Sequence, residues 1–302
     1  MPNNKVQEFF SRRFRSLLSN EPSGTPPWLD TIARGETGGL YLPNDAPWVV
    51  HRDFGTLVGG IRALLMQALH PGTLAGVAQH SRYEQDALGR LAGTIRWLTV
   101  TTFGSHEAVA SEASRVNRLH DRVKGEYQDN SGAERKYQAK DTDLLLWVHI
   151  AFTDSFLTCH QMYAWREIPG GADAYVDQWA RSVEPLGLTN APHSKEDLVR
   201  EIDRFTSTNI LRADETTQKV IGFIRNPGLP IAVMPIYKLL FAAAVVSLSP
   251  EHRKMLKLRV LPAWLVVPLT RVTLRSLQVI IGYDSPIEEG ALTRLRRLGL
   301  WK

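Results

Sequence analysis

The sequence predicts an all-α fold: a single globular helical domain over residues 51–302, preceded by a basic helix and wrapping arm over residues 1–50. Three observations predict it. Apolar residues recur at three- and four-residue spacing along most of the chain, which is the period of one helix face. Few stretches show the two-residue alternation of a half-buried strand. The apolar segments are punctuated where helices stop, at Pro71-Gly72, at Phe103-Gly104-Ser105 and at Gly125. With 302 residues, 43% of them hydrophobic and 22% charged, the chain is too apolar for disorder and too polar for a polytopic membrane protein. A chain of this length buries about three-quarters of its unfolded surface.

Taken in order, the N-terminal residues MPNNKVQEFFSRRFRSLLSNEPSGTPPW predict a short amphipathic basic helix, and the Pro/Gly-rich stretch Glu21–Pro47 predicts an arm around the core. Arg12-Arg13 is not read as an export signal. Only Leu17 and Leu18 follow before Ser19, whereas a signal needs about 7–15 continuous apolar residues. Leu57–Leu69 is a nearly unbroken apolar helix that stops at Pro71-Gly72; Thr73–Gln79 and Leu88–Thr102 follow. Ser105 N-caps a helix through Lys124, which Gly125 ends. Glu126–Lys140 is polar and turn-rich, and Asp141 or Thr142 caps the long helix Asp143–Trp165. Ala172–Leu186, Lys195–Ser207, Ala213–Phe223, Tyr237–Ser247, Pro250–Lys257 and Ala263–Gly282 complete the helices. The apolar run Ile231–Leu248 carries Pro235, Lys238 and Ser247, too short and broken for a bilayer span, and is read as a core helix. A peripheral membrane contact, helped by Val260–Leu269, is the alternative for this region.

Composition and missing motifs remove many chemistries. Lys and Arg number 36 against 31 Asp and Glu, a net charge of +5 that sits partly in the tails. Without basic–aromatic interleaving this surplus reads as solubility and points to no nucleic acid. The single cysteine, Cys159, excludes an internal disulfide, a multi-cysteine zinc site and an iron–sulfur cluster, and it fits a cytoplasmic location. No phosphate loop, dinucleotide fingerprint, HExxH, CxxCH or GxSxG segment occurs. No Glu is followed three residues later by His, so a carboxylate-bridged di-iron bundle has no ligands.

Nine histidines remain, and three lie in apolar settings. His120 shares a helix with the apolar stripe Ala113, Val116, Leu119, Val123. His149 shares a helix face with Leu145, Phe152 and Phe156, and with Thr153 and His160 on the same side. His70 stands at the helix break Leu69-His70-Pro71-Gly72. An imidazole among apolar groups loses hydration and needs a partner. That partner is either a neighbouring carbonyl or hydroxyl, or a shared ligand. In a helical chain with no zinc or di-iron signature, the shared ligand that suits neutral imidazole and apolar helix faces is a b-type haem.

The ordered set GGIRALLMQALHPGTLAGVAQHSRYEQDALGRLAGTIRWLTVTTFG, RVNRLHDRVKG and DTDLLLWVHIAFTDSF closely resembles the latex-clearing-protein / MpaB-type oxygenase family. The likeness runs from about His51 to Leu188, with a weaker echo at Pro235-Ile236-Tyr237 and Leu248–Leu258. It implies an all-α fold related to globins in cofactor use, holding one non-covalent haem b through a proximal histidine. Rubber-cleaving members cut carbon–carbon double bonds of polyisoprene with dioxygen. By this resemblance the proximal histidine and metal ligand is His120, the Arg-x-x-x-Thr signature is Arg90 and Thr94, and the second helical histidine is His149. Arg90 is expected to pair with a haem propionate or to line the oxygen side, one helical turn from Thr94.

One position departs from the pattern. Latex-clearing members carry a lysine directly before the signature threonine, where it can close the distal iron position; here that residue is Gly93. The iron is then open, water-bound, or closed by His70 or His149. The expected function is a haem-dependent oxygenase or oxidoreductase acting on an apolar small molecule with dioxygen or peroxide, drawing on a redox partner of unidentified kind. A haem-binding sensor or carrier without turnover, and a lipid-binding helical protein that has lost the cofactor, are the rival readings.

Overall fold

The computed structural model describes residues 5–80, 87–282 and 285–302, with the backbone alone for residue 6 and for residues 87–91. Fifteen α-helices, one short 3-10 helix (Glu184–Leu186) and one small hairpin make up the regular structure of those residues. The arm contributes α1 (Lys5–Ser19), α2 (Leu29–Ala33) and α3 (Ala46–Arg52). Then come α4 (Gly55–Gln67), α5 (Pro71–His80), α6 (Ala87–Phe103) and α7 (His106–His120). The strands β1 (Lys124–Gln128) and β2 (Glu134–Gln138) precede the long α8 (Thr142–Tyr163) and α9 (Gly171–Ala180). The chain closes with α10 (Lys195–Ser207), α11 (Glu215–Arg225), α12 (Met234–Ser247), α13 (Pro250–Met255), α14 (Ala263–Ile281) and α15 (Pro286–Arg297).

The core is built on α4 and α8, the most extensively packed pair among the described residues. Gly59 permits the approach: a Cβ there would sit 2.7 Å from the ring of Phe156. One continuous cluster runs from Ile32 in the arm to Leu295 in α15, with Trp48, Trp147, Tyr175 and Phe205 fully buried. Each such side chain contributes about 1.5–3 kcal/mol relative to exposure. Inside the same core Arg62 pairs with Asp154 at 2.6 Å and donates to Ser155 Oγ at 2.8 Å, so a charge on α4 finds its partners on α8.

The arm is stitched into this core. Arg294 of α15 is fully buried and donates to the carbonyls of Ile32, Gly38 (3.3 Å) and Phe103 (2.9 Å). Gly39, at φ +89°, lets the arm press on the corner after α6, where a Cβ would meet the carbonyl of Gly104 at 2.0 Å.

The polar segment after α7 is a β-hairpin rather than a loop, with Lys124 opposite Gln138 and Gln128 opposite Glu134. Its pattern hides it: both faces are polar, and Tyr137 alone of these residues is buried. The turn makes it. Asp129 Oδ1 accepts from the N–H groups of Ser131 (2.9 Å) and Ala133 (3.1 Å), and Gly132 takes φ +83°.

The apolar run after residue 231 becomes α12, whose Leu240, Phe241, Ala243, Ala244 and Val245 are buried, as a core helix requires. By contrast α14 buries only the stripe Val266, Thr270, Leu274, Ile281, on the side packed against α12, α1 and α8. Among the described residues it is the one helix long and apolar enough to cross a membrane.

Candidate functional site

The antiparallel pair α6 and α7 sets out the site. Ser105 accepts the N–H of Ala108 at 3.2 Å and starts α7. At the corner, Gly104 has no room for a side chain, since a Cβ would lie 2.5 Å from the carbonyl of Val100. Midway along, Glu112 is 2% exposed and clamps the two helices. It accepts from Arg96 of α6 at 2.9 Å and from Arg115 of α7 at 3.0 Å. A buried carboxylate held by two guanidiniums is costly to unpair, so the clamp fixes how the helices lie together. At a rise of about 1.5 Å per residue, Arg90 is about 20 Å and His120 about 21 Å from the shared corner. The two backbones therefore stand at the same level, at the open end of the pair, with Thr94 one turn nearer the corner. The side chain of Arg90 lies outside the described residues. Thr94 is half-buried.

Glu112 carries the clamp and escaped the sequence reading. Its signal was present: a carboxylate on the apolar stripe Val109, Ala113, Val116 is a charge that must be paired. That stripe also falls short of its expectation at one place, because Leu119 is 48% exposed.

The histidines of the sequence reading do not converge. His70 packs on Trp147 (6.3 Å between ring centres) and on Phe205 (5.9 Å). His149 lies two residues beyond Trp147 on the same helix, so its side chain leaves the opposite side of α8. His120 is at the end of α7, beside Asp121 and its ion-pair partner Lys140. Among the described residues no three His, Cys, Asp or Glu side chains gather as a metal cage.

Their ring nitrogens differ in a way that bears on iron binding. The N–H of Gly72 donates to His70 Nδ1 at 3.1 Å, which uses the one lone pair of the neutral ring. The hydroxyl of Thr153 donates to the carbonyl of His149 at 2.7 Å, so its oxygen receives the N–H from His149 Nε2 at 3.4 Å. His149 Nε2 is thereby a donor and not a ligand. His120 has neither nitrogen engaged: Nδ1 is buried with no partner, and Nε2 makes no hydrogen bond among the described residues. Burial, reinforced by the charge of Lys140 and opposed by Asp121, lowers its pKa below the ordinary value for histidine. Burial likewise lowers His70 to about 4 and His149 to about 3, so all three rings are neutral near pH 7.

The space around these rings also differs. His70 lies at the wall of a half-open cavity of about 830 Å³ whose other walls include the charged Asp129, Arg135, Lys140 and Asp143. The α6 side is apolar: Ile95, Trp97 and Leu98 are half-buried, and a Cβ on Gly93 would meet nothing within 4 Å. Next to α5, the residues Val77, Ala78, Phe223 and Ile224 pack on a small separate cluster of Ala68, Leu74 and Val220. An uncommitted imidazole at the end of α7, with open space over Gly93 on the neighbouring α6, suits a planar apolar group that brings its own four nitrogens, as haem does. The polar cavity beside His70 does not.

The segment after His120 is held to α5. Gln79 donates to the carbonyl of Glu126 at 2.9 Å, the ring of His80 donates to that of Lys124 at 2.9 Å, and Tyr137 donates to Gln79 Oε1 at 2.9 Å. Gly125 allows the approach, since a Cβ would lie 2.3 Å from Gln79 Oε1. The His-x-x-Val-x-Gly pattern thus joins one uncommitted histidine to two packing residues.

Comparison with protein families gives one match: the model described as ER-bound oxygenase mpaB/B'/Rubber oxygenase, catalytic domain, over residues 48–279. No curated protein and no solved structure matches the chain. The matched span takes in α6, α7, the hairpin, α8 and nearly all of α14.

Proposed function

The chain belongs to the family of mpaB and rubber oxygenase catalytic domains, and we propose that it is a b-type haem-dependent oxygenase acting on an apolar small molecule, with His120 as the iron ligand. Membership of an oxygenase family implies a substrate and dioxygen. The observation that carries the haem reading is the ring of His120, half-buried, neutral near pH 7 and unused by any group among the described residues. When bound, haem supplies a redox-active iron that activates dioxygen.

The chain's own residues supply the rest. A neutral His120 keeps a lone pair for iron. The Glu112 clamp holds α7 in place against α6. Arg90, at the level of His120, provides a cation for a propionate, and Thr94 offers a hydroxyl one turn away. Gly93 brings no ligand atom on α6. The lone pair of His70 already accepts from Gly72, so that ring would bring no second ligand to the group.

The absorption spectrum of the purified protein tests this. A Soret band is expected in the wild type, with loss of haem or a shifted band in His120→Ala. The variants His106→Ala and His193→Ala are expected to keep the wild-type spectrum. Full haem occupancy with an unchanged spectrum in His120→Ala would overturn the assignment. Oxygen consumption with a reductant and candidate lipids then separates an oxygenase from a haem sensor or carrier.

A further inference from the structure

The outward face of α14 is unlike the rest of the surface. Val266, Thr270, Leu274 and Ile281 point into the protein. The opposite side carries Trp264 (78% exposed), Leu265, Leu269, Val272 (61%), Val279 and Ile280. The approach to the helix continues the patch with Val260 and Leu261. Gln7 of α1 donates to the carbonyl of Val279 at 3.0 Å, which brings the exposed Phe9 and Phe10 toward the same end. Contiguous apolar surface of this kind marks an interaction site in a soluble fold.

The charges around the patch choose its partner. Between Glu251 and Asp284 the sequence contains no acidic residue and six basic ones: Arg253, Lys254, Lys257, Arg259, Arg271 and Arg275. Lys254, Lys257 and Arg259 are exposed and pair with no acid among the described residues. Arg12 and Arg13 extend the positive charge along the exposed side of α1. From this we infer that the face of α14, with its approach and α1, is a docking surface for an anionic phospholipid bilayer, the helix lying in the interface plane. Apolar side chains flanked by Arg and Lys, with a Trp at the start of the helix, match the two layers of that interface: acyl chains below, phosphates and water above. A second copy of the chain is a poorer occupant, because a two-fold contact would set this predominantly basic surface against itself. Crossing the bilayer is poorer still, because α14 would have to abandon its packing on α12, α1 and α8.

The inference is independent of the haem reading, since its measurement is lipid binding by the protein as purified. Vesicles of phosphatidylcholine alone and of equimolar phosphatidylcholine and phosphatidylglycerol are sedimented with the protein. Binding is expected to the mixed vesicles, weakening at high salt. Leu265→Glu with Val272→Glu should reduce it by roughly tenfold or more, from the loss of buried apolar surface. Trp264→Ser is the milder variant, in case the double variant folds poorly. Val199→Glu, at an exposed apolar site on α10, should bind as wild type. Lys257→Gln with Arg259→Gln should cost about fivefold per charge on mixed vesicles only. Three results would overturn the inference: no sedimentation with either vesicle, equal binding with and without phosphatidylglycerol, or binding unchanged by both apolar variants. Reversible self-association in light scattering that Trp264→Ser abolishes would do so too, assigning the face to a second copy.

Discussion

The ring of His51 is closed by protein on both sides. Thr102 gives its hydroxyl proton to the carbonyl of Leu98 at 2.7 Å and receives the N–H of His51 Nδ1 at 2.8 Å. Tyr175 donates to His51 Nε2 at 2.9 Å, and Trp179 and Phe156 stand edge-on to the ring at 4.3 and 5.1 Å. The ring of His120, half-buried at a helix end, has no such partner among the described residues. His51 follows the apolar run at residues 46–50 and His120 shares a helix with Ala113, Val116 and Leu119, and the more deeply buried ring is the one the protein holds at both nitrogens. The difference teaches that depth alone does not describe a histidine; what distinguishes the two is whether the protein has already spent the lone pair.

Stability should separate the two residues most strongly. His51→Ala removes the acceptor of the buried Tyr175 hydroxyl and leaves a cavity, a loss of about 3 kcal/mol. His120→Ala should cost less than about 1 kcal/mol in haem-free protein, because no internal bond is lost. Urea unfolding of both variants measures this. Equal losses would mean that His120 is a packing residue after all.

Acid titration sharpens the comparison. Burial lowers His51 and His149 to about 3 and His70 and His252 to about 4. In the unfolded chain these rings take up protons near pH 6.5. Their contribution to stability is therefore complete above pH 6.5 and is lost as the pH falls toward 4 and then 3. The slope is up to about 1.4 kcal/mol per pH unit for each ring. Unfolding free energies measured from pH 7 to pH 4.5 should fall accordingly, and His51→Asn should flatten the curve by one histidine's share. A profile flat over that range would show that the buried rings accept protons without unfolding.

The smallest effect is expected on the α6 side of His120. Gly93→Ala should stabilise haem-free protein by up to about 1 kcal/mol through helix propensity, since no atom stands within 4 Å of the new Cβ. Gly104→Ala, in van der Waals overlap with the carbonyl of Val100, should destabilise it. Thermal unfolding of the two variants makes the test. If Gly93→Ala also lowers haem retention, the space above it belongs to the bound group.

Much of the fold was legible in the residues. Ser105 caps α7 and Ser194 caps α10, each accepting the N–H of the third residue on. Such signals are local, so they survive without a structure. The hairpin was not legible, because neither of its faces is apolar enough to set up an alternation. Of the candidate site, His120 and the Arg90–Thr94 spacing were legible through family likeness. The Glu112 clamp was legible only in part: a carboxylate on an apolar stripe needs a partner and Arg115 lies three residues on, but Arg96 is sixteen residues away on α6.

The sequence by itself determined most helix starts, which runs are apolar, and that histidines stand among them, because propensity, capping and periodicity act within a few residues; α7 ends at His120 and not at Lys124, because the chain there enters the strand pair β1–β2. Tertiary structure alone decided which apolar helix is covered and which histidine is used up. The partners of His51 lie 51 and 124 residues along the chain, and the cover of α12 and α14 comes from α4, α8 and α1. A lone pair or a helix face is satisfied by whatever folding brings beside it, and no local pattern records that.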